Sequence, residues 1–246
     1  MKYFLLFILA SLVLASSLNA SSEKIIKNTI VSQGKTRAYY LFVPDNLKPS
    51  TPAPLIVMLH GSGRNGLSLV ERWTDMAKQE GIIIVGPDST DSKMWSMPID
   101  GPDFLHDLVE AIKAKYSVNP RRVYLFGHSA GASFALNMSL LESEYFAATA
   151  VHAGALQTYR LVDYAKRKTP MAIWVGTKDQ FFPLKDVRET RDELNKRGFA
   201  LELTEIANHD HSYYNIAAKI NRNMWDFLKK FELAGDQRYE QYNVNK

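Results

Sequence analysis

Cysteine is absent from this sequence of 246 residues. Its absence excludes disulfide bonds, thiolate chemistry and a lipid-modified N-terminal cysteine, and a metal site would have to use histidine and carboxylate ligands. A strong charge of one sign is also lacking, since the formal net charge is +4 and the charged residues are spread along the chain. We therefore expect no nucleic-acid partner. With 46% hydrophobic residues and no internal repeat, the chain can bury one sizeable core.

The N-terminal segment does not have the pattern of a globular domain. Lys2 is followed by an apolar run over residues 3–14, too short to span a bilayer comfortably, and then by small residues up to Ala20. We predict a cleavable signal peptide in residues 1–20, with cleavage after Ala15 or Ala20; an uncleaved anchor is the alternative. Because an exported chain without cysteine fits a bacterial periplasm or exterior, we expect a secreted or periplasmic protein with no stable membrane insertion after cleavage.

The predicted domain, residues 21–234, alternates strands with helices. Residues 24–31 and 37–43 alternate apolar and polar side chains, which predicts an antiparallel hairpin at a sheet edge. Further strands are predicted at residues 55–59, 82–85, 122–126, 148–151, 171–175 and 200–206, and helices up to residue 78 and at 104–116, 159–168, 187–197 and 216–231. This order predicts a mostly parallel sheet with helices on both faces. We expect the polar tail, residues 235–246, to be frayed.

Residues 127–131 have the sequence GHSAG and lie between a predicted strand and a segment with helical spacing. In this G-x-S-x-G pattern a sharp turn exposes the serine hydroxyl, and both glycines are needed because a Cβ would collide where strand and helix pass closely. A turn of small residues can also serve packing alone. In this context, the pattern predicts that Ser129 is a nucleophile.

A nucleophilic serine needs a base, and the base needs a carboxylate that fixes its tautomer. In an open parallel sheet such groups collect at the carboxyl ends of the strands. Asp179 follows one predicted strand, and His209 and His211 follow the last one. The chain order serine, acid, histidine is that of α/β-hydrolases. We assign Asp179 as the acid, with Asp186 and Asp163 as less suitably placed alternatives.

Two backbone amides are candidates for binding a developing oxyanion. The amide of Ala130 follows the nucleophile at the positive end of a helix, and the turn of residues 60–63, with sequence HGSG, offers a second amide, that of Ser62. As a phosphate-binding loop this turn lacks both the G-x-G-x-x-G spacing and the Lys-Ser/Thr ending.

Four segments carry a resemblance to a known group of enzymes: PLIVMLHGSGRNG, DFLHDLVEAIKAKYSVNPRRVYLFGHSAGA, VGTKDQFFP and HDHSYYN. Together they resemble secreted α/β-hydrolase esterases of the polyhydroxybutyrate depolymerase and feruloyl esterase group over about residues 54–231. In that group the acid follows a Gly-Thr-x-Asp strand end, which corresponds to Asp179, and the oxyanion donor follows His-Gly, which corresponds to Ser62. The depolymerases usually carry a cysteine at the latter position.

The segment DHSYY is similar to S-formylglutathione hydrolase and esterase D relatives, in which the histidine before Ser-Tyr is catalytic. That resemblance favours His211 as the base and leaves His209 in reserve. Where the depolymerases commonly have a tryptophan after this histidine region, the chain has Tyr213 and Tyr214.

These observations predict an α/β-hydrolase fold and a secreted serine hydrolase that acts on small-molecule or polymeric carboxylic esters without cofactor or metal. The alternatives are a thioesterase, a serine peptidase with the same three residues, and a non-catalytic binding protein on this fold. Residues 154–170 leave room for one short helix, so we expect no cap domain. The loop of residues 89–103 carries Met94, Trp95 and Met97, which we expect to bind substrate; the alternative is a packed surface loop.

Overall fold

The computed structural model describes residues 24–48 and 50–239, so the predicted signal peptide lies outside the described residues. The strands are β1 Ile26–Ser32, β2 Lys35–Phe42, β3 Ala53–Leu59, β4 Ile83–Pro87, β5 Val118–His128, β6 Thr149–His152, β7 Met171–Gly176 and β8 Leu201–Ile206. The helices are α1 Leu67–Glu80, α2 Pro102–Lys113, α3 Ala130–Leu141, α4 Leu184–Lys196 and α5 Tyr213–Leu228, with a short 3₁₀ helix at Arg160–Tyr164. In this part of the chain no helix is long and apolar enough to cross a membrane.

All eight strands form one sheet in the order β1-β2-β4-β3-β5-β6-β7-β8. Strand β2 pairs antiparallel with β1 and β4, and the remaining pairs are parallel. The β1-β2 hairpin closes through Gln33 and Gly34, whose φ angles of 51° and 73° give a turn that matches the strand twist. The predicted hairpin and mostly parallel sheet are therefore confirmed, and the fold is that of an α/β-hydrolase.

The sheet is covered on both faces, and β3 shows how. Leu55 and Val57 face a cluster that contains the apolar residues of α2, α3 and α4, while Ile56 and Met58 face the cluster of α1 and α5. All four side chains are fully buried. Burying a side chain of this kind stabilises the fold by about 1.5–3 kcal/mol. A continuous apolar run was therefore the correct signature for a strand with helices on both sides.

Beyond shifts of element ends by one to three residues, the structure differs from the prediction in three notable features. Strand β5 begins at Val118, four residues early, because its first part pairs with the start of β3 across a register shift. The segment 159–168 forms only a five-residue 3₁₀ helix. The tail was predicted to be frayed, but its described part is packed: the ring of Tyr239 stacks on His106 at 3.9 Å and Gln237 donates to the Tyr145 carbonyl.

Candidate active site

The turn between β5 and α3 holds Ser129 in a conformation that L-residues rarely adopt, with φ 57° and ψ −122°. The chain can pass this closely only with glycine on either side. A Cβ on Gly127 would lie 2.4 Å from the Gly131 carbonyl oxygen, and a Cβ on Gly131 would lie 2.0 Å from that of Leu59. The turn points the serine side chain outward at the carboxyl end of the sheet, as the sequence pattern predicts.

Ser129, His211 and Asp179 form one continuous hydrogen-bonded row. His211 Nε2 lies 2.9 Å from Ser129 Oγ, and its Nδ1 lies 2.8 Å from Asp179 Oδ2. Asp179 follows β7 and His211 follows β8, so the neighbouring strands bring the two side chains together. With the Nδ1–H donating to the carboxylate, Nε2 is left to accept the serine proton.

Backbone hydrogen bonds hold the carboxylate of Asp179 in place independently of the histidine. Its Oδ1 accepts the backbone N–H groups of Phe181 and Phe182, both at 2.9 Å, and its side chain is fully buried. The same turn places both rings against His211, at centroid distances of 4.8 Å for Phe181 and 5.8 Å for Phe182. The turn thus orients the acid through its backbone and encloses the imidazole through its side chains.

The candidate oxyanion donors lie on either side of the serine. Ala130 is the first residue of α3, so its N–H has no partner within the helix. The turn after β3 approaches from the other side, since a Cβ on Gly61 would lie 3.2 Å from the Ser129 Cβ. The next residue, Ser62, donates its hydroxyl to the Lys93 carbonyl at 2.6 Å, which holds the turn in place.

Two side chains brace this turn, and the sequence pattern did not assign them that role. His60 is buried; its Nδ1 lies 2.9 Å from the Gly61 carbonyl oxygen, and its Nε2 accepts the N–H of Ser89 at 3.1 Å. Burial lowers its pKa, consistent with a neutral ring that donates from Nδ1. Trp95 Nε1 donates to the His60 carbonyl at 2.8 Å. The histidine before Gly-Ser-Gly was the available signal for this arrangement.

Three further histidines lie behind the base. Burial lowers the pKa of His128 to about 3 and that of His152 to about 2, and the two rings are 5.2 Å apart. His209 packs edge-on against His152 at 5.4 Å, and its buried Nε2 has no hydrogen-bond partner in the described part of the chain. The structure brings His211, and not the reserve histidine, to Ser129.

Neither alternative acid takes the place beside the base. Asp186 lies in the first turn of α4 and Asp163 in the 3₁₀ helix, whereas the carboxylate hydrogen-bonded to His211 is that of Asp179. Among the described residues, no group of three or more histidine or carboxylate side chains is arranged to hold a metal ion.

Two open clefts meet at the serine. One, of about 460 Å³, is lined by His211, and the other, of about 650 Å³, by Ala130; both include Ser129 and Ser62. No structured cap covers them from between β6 and β7, where the described chain forms only the 3₁₀ helix. Phe181, 75% exposed, lines both clefts.

The three residues expected to bind substrate differ in position. Met94 and Trp95 line a third cleft of about 230 Å³, which shares Ala130 with the larger one. Met97 does not line these clefts; it packs on the core, and its sulfur would lie 2.5 Å from a Cβ on Gly101. The structure thus gives Met97 no contact with these three clefts, and its part in substrate binding stays a prediction.

The row of serine, histidine and aspartate is therefore a candidate active site at the carboxyl end of the sheet of an α/β-hydrolase fold. Residues 89–231 match the model of the dienelactone hydrolase family, and the chain belongs to that family. A curated relative, the bifunctional acetylxylan esterase/xylanase of Neocallimastix patriciarum, is 29% identical over 106 residues, which are 42% of this chain and 16% of the relative. The chain thus spans about a sixth of that relative's length.

Solved structures share the fold at low sequence identity. A thermostable esterase has a TM-score of 0.70 at 20% identity, over 85% of this chain and 63% of its own. An S-formylglutathione hydrolase from Staphylococcus aureus has a TM-score of 0.69 at 14% identity, over 85% and 100% of the two chains. A ferulic acid esterase from Anaeromyces mucronatus has a TM-score of 0.69 at 17% identity, over 84% and 91%.

Proposed function

We propose that this protein hydrolyses carboxylic esters through an acyl-enzyme, with Ser129 as nucleophile, His211 as base and Asp179 as the acid that orients it. The observation that carries the proposal is the row of hydrogen bonds of 2.9 Å and 2.8 Å that joins the three side chains beside two open clefts. Membership of a hydrolase family and the esterase named in the curated relative support it.

In the first half of the reaction, Ser129 Oγ attacks the ester carbonyl while its proton moves to His211 Nε2. The carbonyl oxygen becomes negatively charged and accepts the N–H groups of Ala130 and Ser62. As the tetrahedral intermediate collapses, the imidazolium returns the proton to the departing alcohol. A water molecule then repeats the sequence on the acyl-enzyme, with His211 again taking the proton, and releases the carboxylic acid.

The open clefts and the third cleft beside Trp95 support soluble short-chain and aryl esters, or ester groups displayed on a polymer, as substrates. This mechanism needs neither cofactor nor metal. On the strength of residues 1–20, we also propose that the protein is exported to the periplasm or the exterior.

The test is hydrolysis by the purified chain of a panel with one acyl group in three bonds: a phenyl ester, a thioester and an anilide. We expect the ester to be the best substrate, and preference for the thioester or the anilide would replace the proposal by a thioesterase or a peptidase. Ser129→Ala should lower kcat by about 10⁴–10⁶, whereas Ser117→Ala, at an exposed position away from the site, should not. A folded Ser129→Ala variant that keeps a tenth of the activity would refute the assignment.

A further inference from the structure

Phe181 is the most exposed large apolar side chain among those that the structure describes, with 75% of its surface accessible. A single exposed apolar residue is unremarkable in itself. This one, however, lies directly beside the site, because its backbone N–H donates to Asp179 Oδ1 at 2.9 Å and its ring lies 4.8 Å from that of His211. An aromatic surface is therefore exposed to solvent beside the base and the nucleophile.

The same ring is a common wall of the two clefts. Among the residues that the structure describes, only Ser62, Ser129 and Phe181 line both of them. The first two contribute the candidate oxyanion donor and the nucleophile, where the ester carbon must lie. Phe181 therefore stands where the two halves of a bound ester diverge from the reacting carbon.

The direction of proton transfer decides which cleft holds the alcohol group of the bound ester and which holds the acyl group. The departing alcohol oxygen must receive its proton from His211 Nε2, and His211 lines the cleft of about 460 Å³. The acyl group remains on Ser129 and extends on the other side, in the cleft of about 650 Å³ that Ala130 lines and His211 does not. The smaller cleft is thus the alcohol subsite and the larger one the acyl subsite.

The charges of the two subsites differ in sign. The alcohol subsite includes Arg64 and Lys178 beside one carboxylate, Asp210, and so favours a polar alcohol. The acyl subsite includes Asp186 and Glu189 and no cationic side chain among its lining residues. A carboxylate on the acyl group would meet two negative charges there, so this subsite favours an uncharged acyl group over an anionic one.

Aromatic side chains enclose the acyl subsite. Tyr159 and Phe182 line it together with Phe181, and it shares Ala130 and Ser133 with the third cleft. Planar rings of this kind favour an aromatic group that can lie against them.

We propose that Phe181 is a substrate-contacting, specificity-determining residue, which separates an acyl subsite for uncharged aromatic groups from a polar alcohol subsite. The inference rests on the proposed ester hydrolysis. Phe181 would then take a direct part in substrate choice although it lies outside the row of serine, histidine and aspartate.

The experiment compares methyl cinnamate with methyl acetate, which share an alcohol and differ in the acyl group. Phe181→Ala should lower kcat/KM for the cinnamate by about two- to tenfold, through KM, and change the acetate less than twofold. Phe181→Trp should restore the cinnamate rate because it restores a planar ring. Val31→Ala, a similarly exposed residue on β1 with 72% accessibility, is the matched control and should change neither rate.

A merely structural role would give a different result. If the ring serves only to hold His211, Phe181→Ala will lower kcat equally for both esters, and the specificity proposal is wrong. If Phe181→Ala lowers kcat equally for both esters while Ser129→Ala is inactive, the ester-hydrolase proposal stands and only the specificity proposal is refuted. Failure of the wild-type chain to cleave either ester would instead refute the proposed function itself.

Deacylation kinetics test the assignment of the two subsites separately. Once the alcohol has left, the acyl group occupies only its own subsite, so stopped-flow decay of the cinnamoyl-enzyme should change more in Tyr159→Ala than in Lys178→Ala. The reverse pattern would exchange the two subsites and overturn the assignment.

Discussion

Replacing Asp179 by asparagine tests whether catalysis needs the orientation and tautomer of the His211 ring and not only the presence of that ring. The carboxylate accepts three hydrogen bonds, two at Oδ1 from the N–H groups of Phe181 and Phe182 and one at Oδ2 from His211 Nδ1. An asparagine side chain has the same shape but only one oxygen. The neighbouring backbone therefore decides which way the amide points.

The two backbone donors fix that orientation. If the amide nitrogen of asparagine faced them, two partly buried N–H groups would lose their acceptor, at a cost of up to about 1–3 kcal/mol each. The oxygen must then face the backbone, and the NH₂ group faces His211 Nδ1. The ring can satisfy this donor only by moving its proton to Nε2, which faces Ser129 and can no longer accept the serine proton. We expect kcat to fall about 10⁴-fold, or about 5.5 kcal/mol in the barrier.

The assay is hydrolysis of an activated phenyl ester at pH 7.5, together with thermal unfolding. Asp179→Asn should leave the fold intact, because both backbone hydrogen bonds remain. Asp163→Asn, the same chemical change in the 3₁₀ helix, is the matched control and should retain full activity. A folded Asp179→Asn variant with more than a tenth of wild-type kcat, or an inactive Asp163→Asn, would refute the reasoning.

Three further predictions follow from the same geometry. His211→Ala should abolish turnover, whereas His209→Ala should keep most of it; the opposite result in the ester assay would reverse the assignment of the base. Burial lowers the pKa of His128 to about 3, so between pH about 6.5 and 3 the unfolded state binds more protons than the native state. The free energy of unfolding, measured with urea, should therefore decrease as the pH falls through this range, by up to about 1.4 kcal/mol per unit from this residue, and a pH-independent value would contradict its burial as a neutral ring. Gly131→Ala places a Cβ 2.0 Å from a carbonyl oxygen and should cost about 1–3 kcal/mol or more in thermal unfolding, whereas Gly235→Ala meets nothing within 4 Å and should cost little.

The parts of the fold that the sequence predicts correctly are those encoded by local patterns. The apolar run of β3 and the spacing of α2 report burial directly, because each residue's exposure follows from the period of its own element. The turn around Ser129 is recognisable from its local G-x-S-x-G pattern, although its two glycines differ in what requires them. A Cβ on Gly127 would meet the turn itself, 2.4 Å from the Gly131 carbonyl oxygen, whereas a Cβ on Gly131 would meet the distant strand β3, 2.0 Å from the Leu59 carbonyl oxygen.

The choice between His209 and His211 depends on geometry that residue spacing does not contain. Both follow β8, and the path of the loop decides which ring reaches the serine. Asn208 takes a φ of 59°, and the next residue's carbonyl accepts the N–H of Lys178, so His209 is turned behind the sheet edge toward His152. Only the resemblance to related enzymes separated the two histidines beforehand.

The loop of residues 89–103 shows a different limit of sequence reasoning. Its aromatic and sulfur-containing side chains suit a substrate pocket, but the same residue types suit packing. Trp95 lines a cleft and also donates its indole N–H to the His60 carbonyl, while Met97 packs against the core. Phe181 lies in the quoted segment VGTKDQFFP but received no role from the sequence, because exposure at a cleft is a property of the assembled site.

The buried histidines explain how one imidazole can act as a base among several. A charged ring at the 5.0 Å centroid distance between His128 and His211 would oppose protonation of the latter by about 3 kcal/mol at an effective dielectric constant of about 20. Desolvation prevents this, because it keeps His128 and His152 neutral well below neutral pH. His211 alone has a carboxylate on one nitrogen and a serine on the other. The proposed mechanism requires a transient imidazolium at His211, and keeping the neighbouring rings neutral avoids charge repulsion against it. The same burial lowers the free energy of unfolding at acid pH, where the unfolded state binds the protons that the buried rings do not.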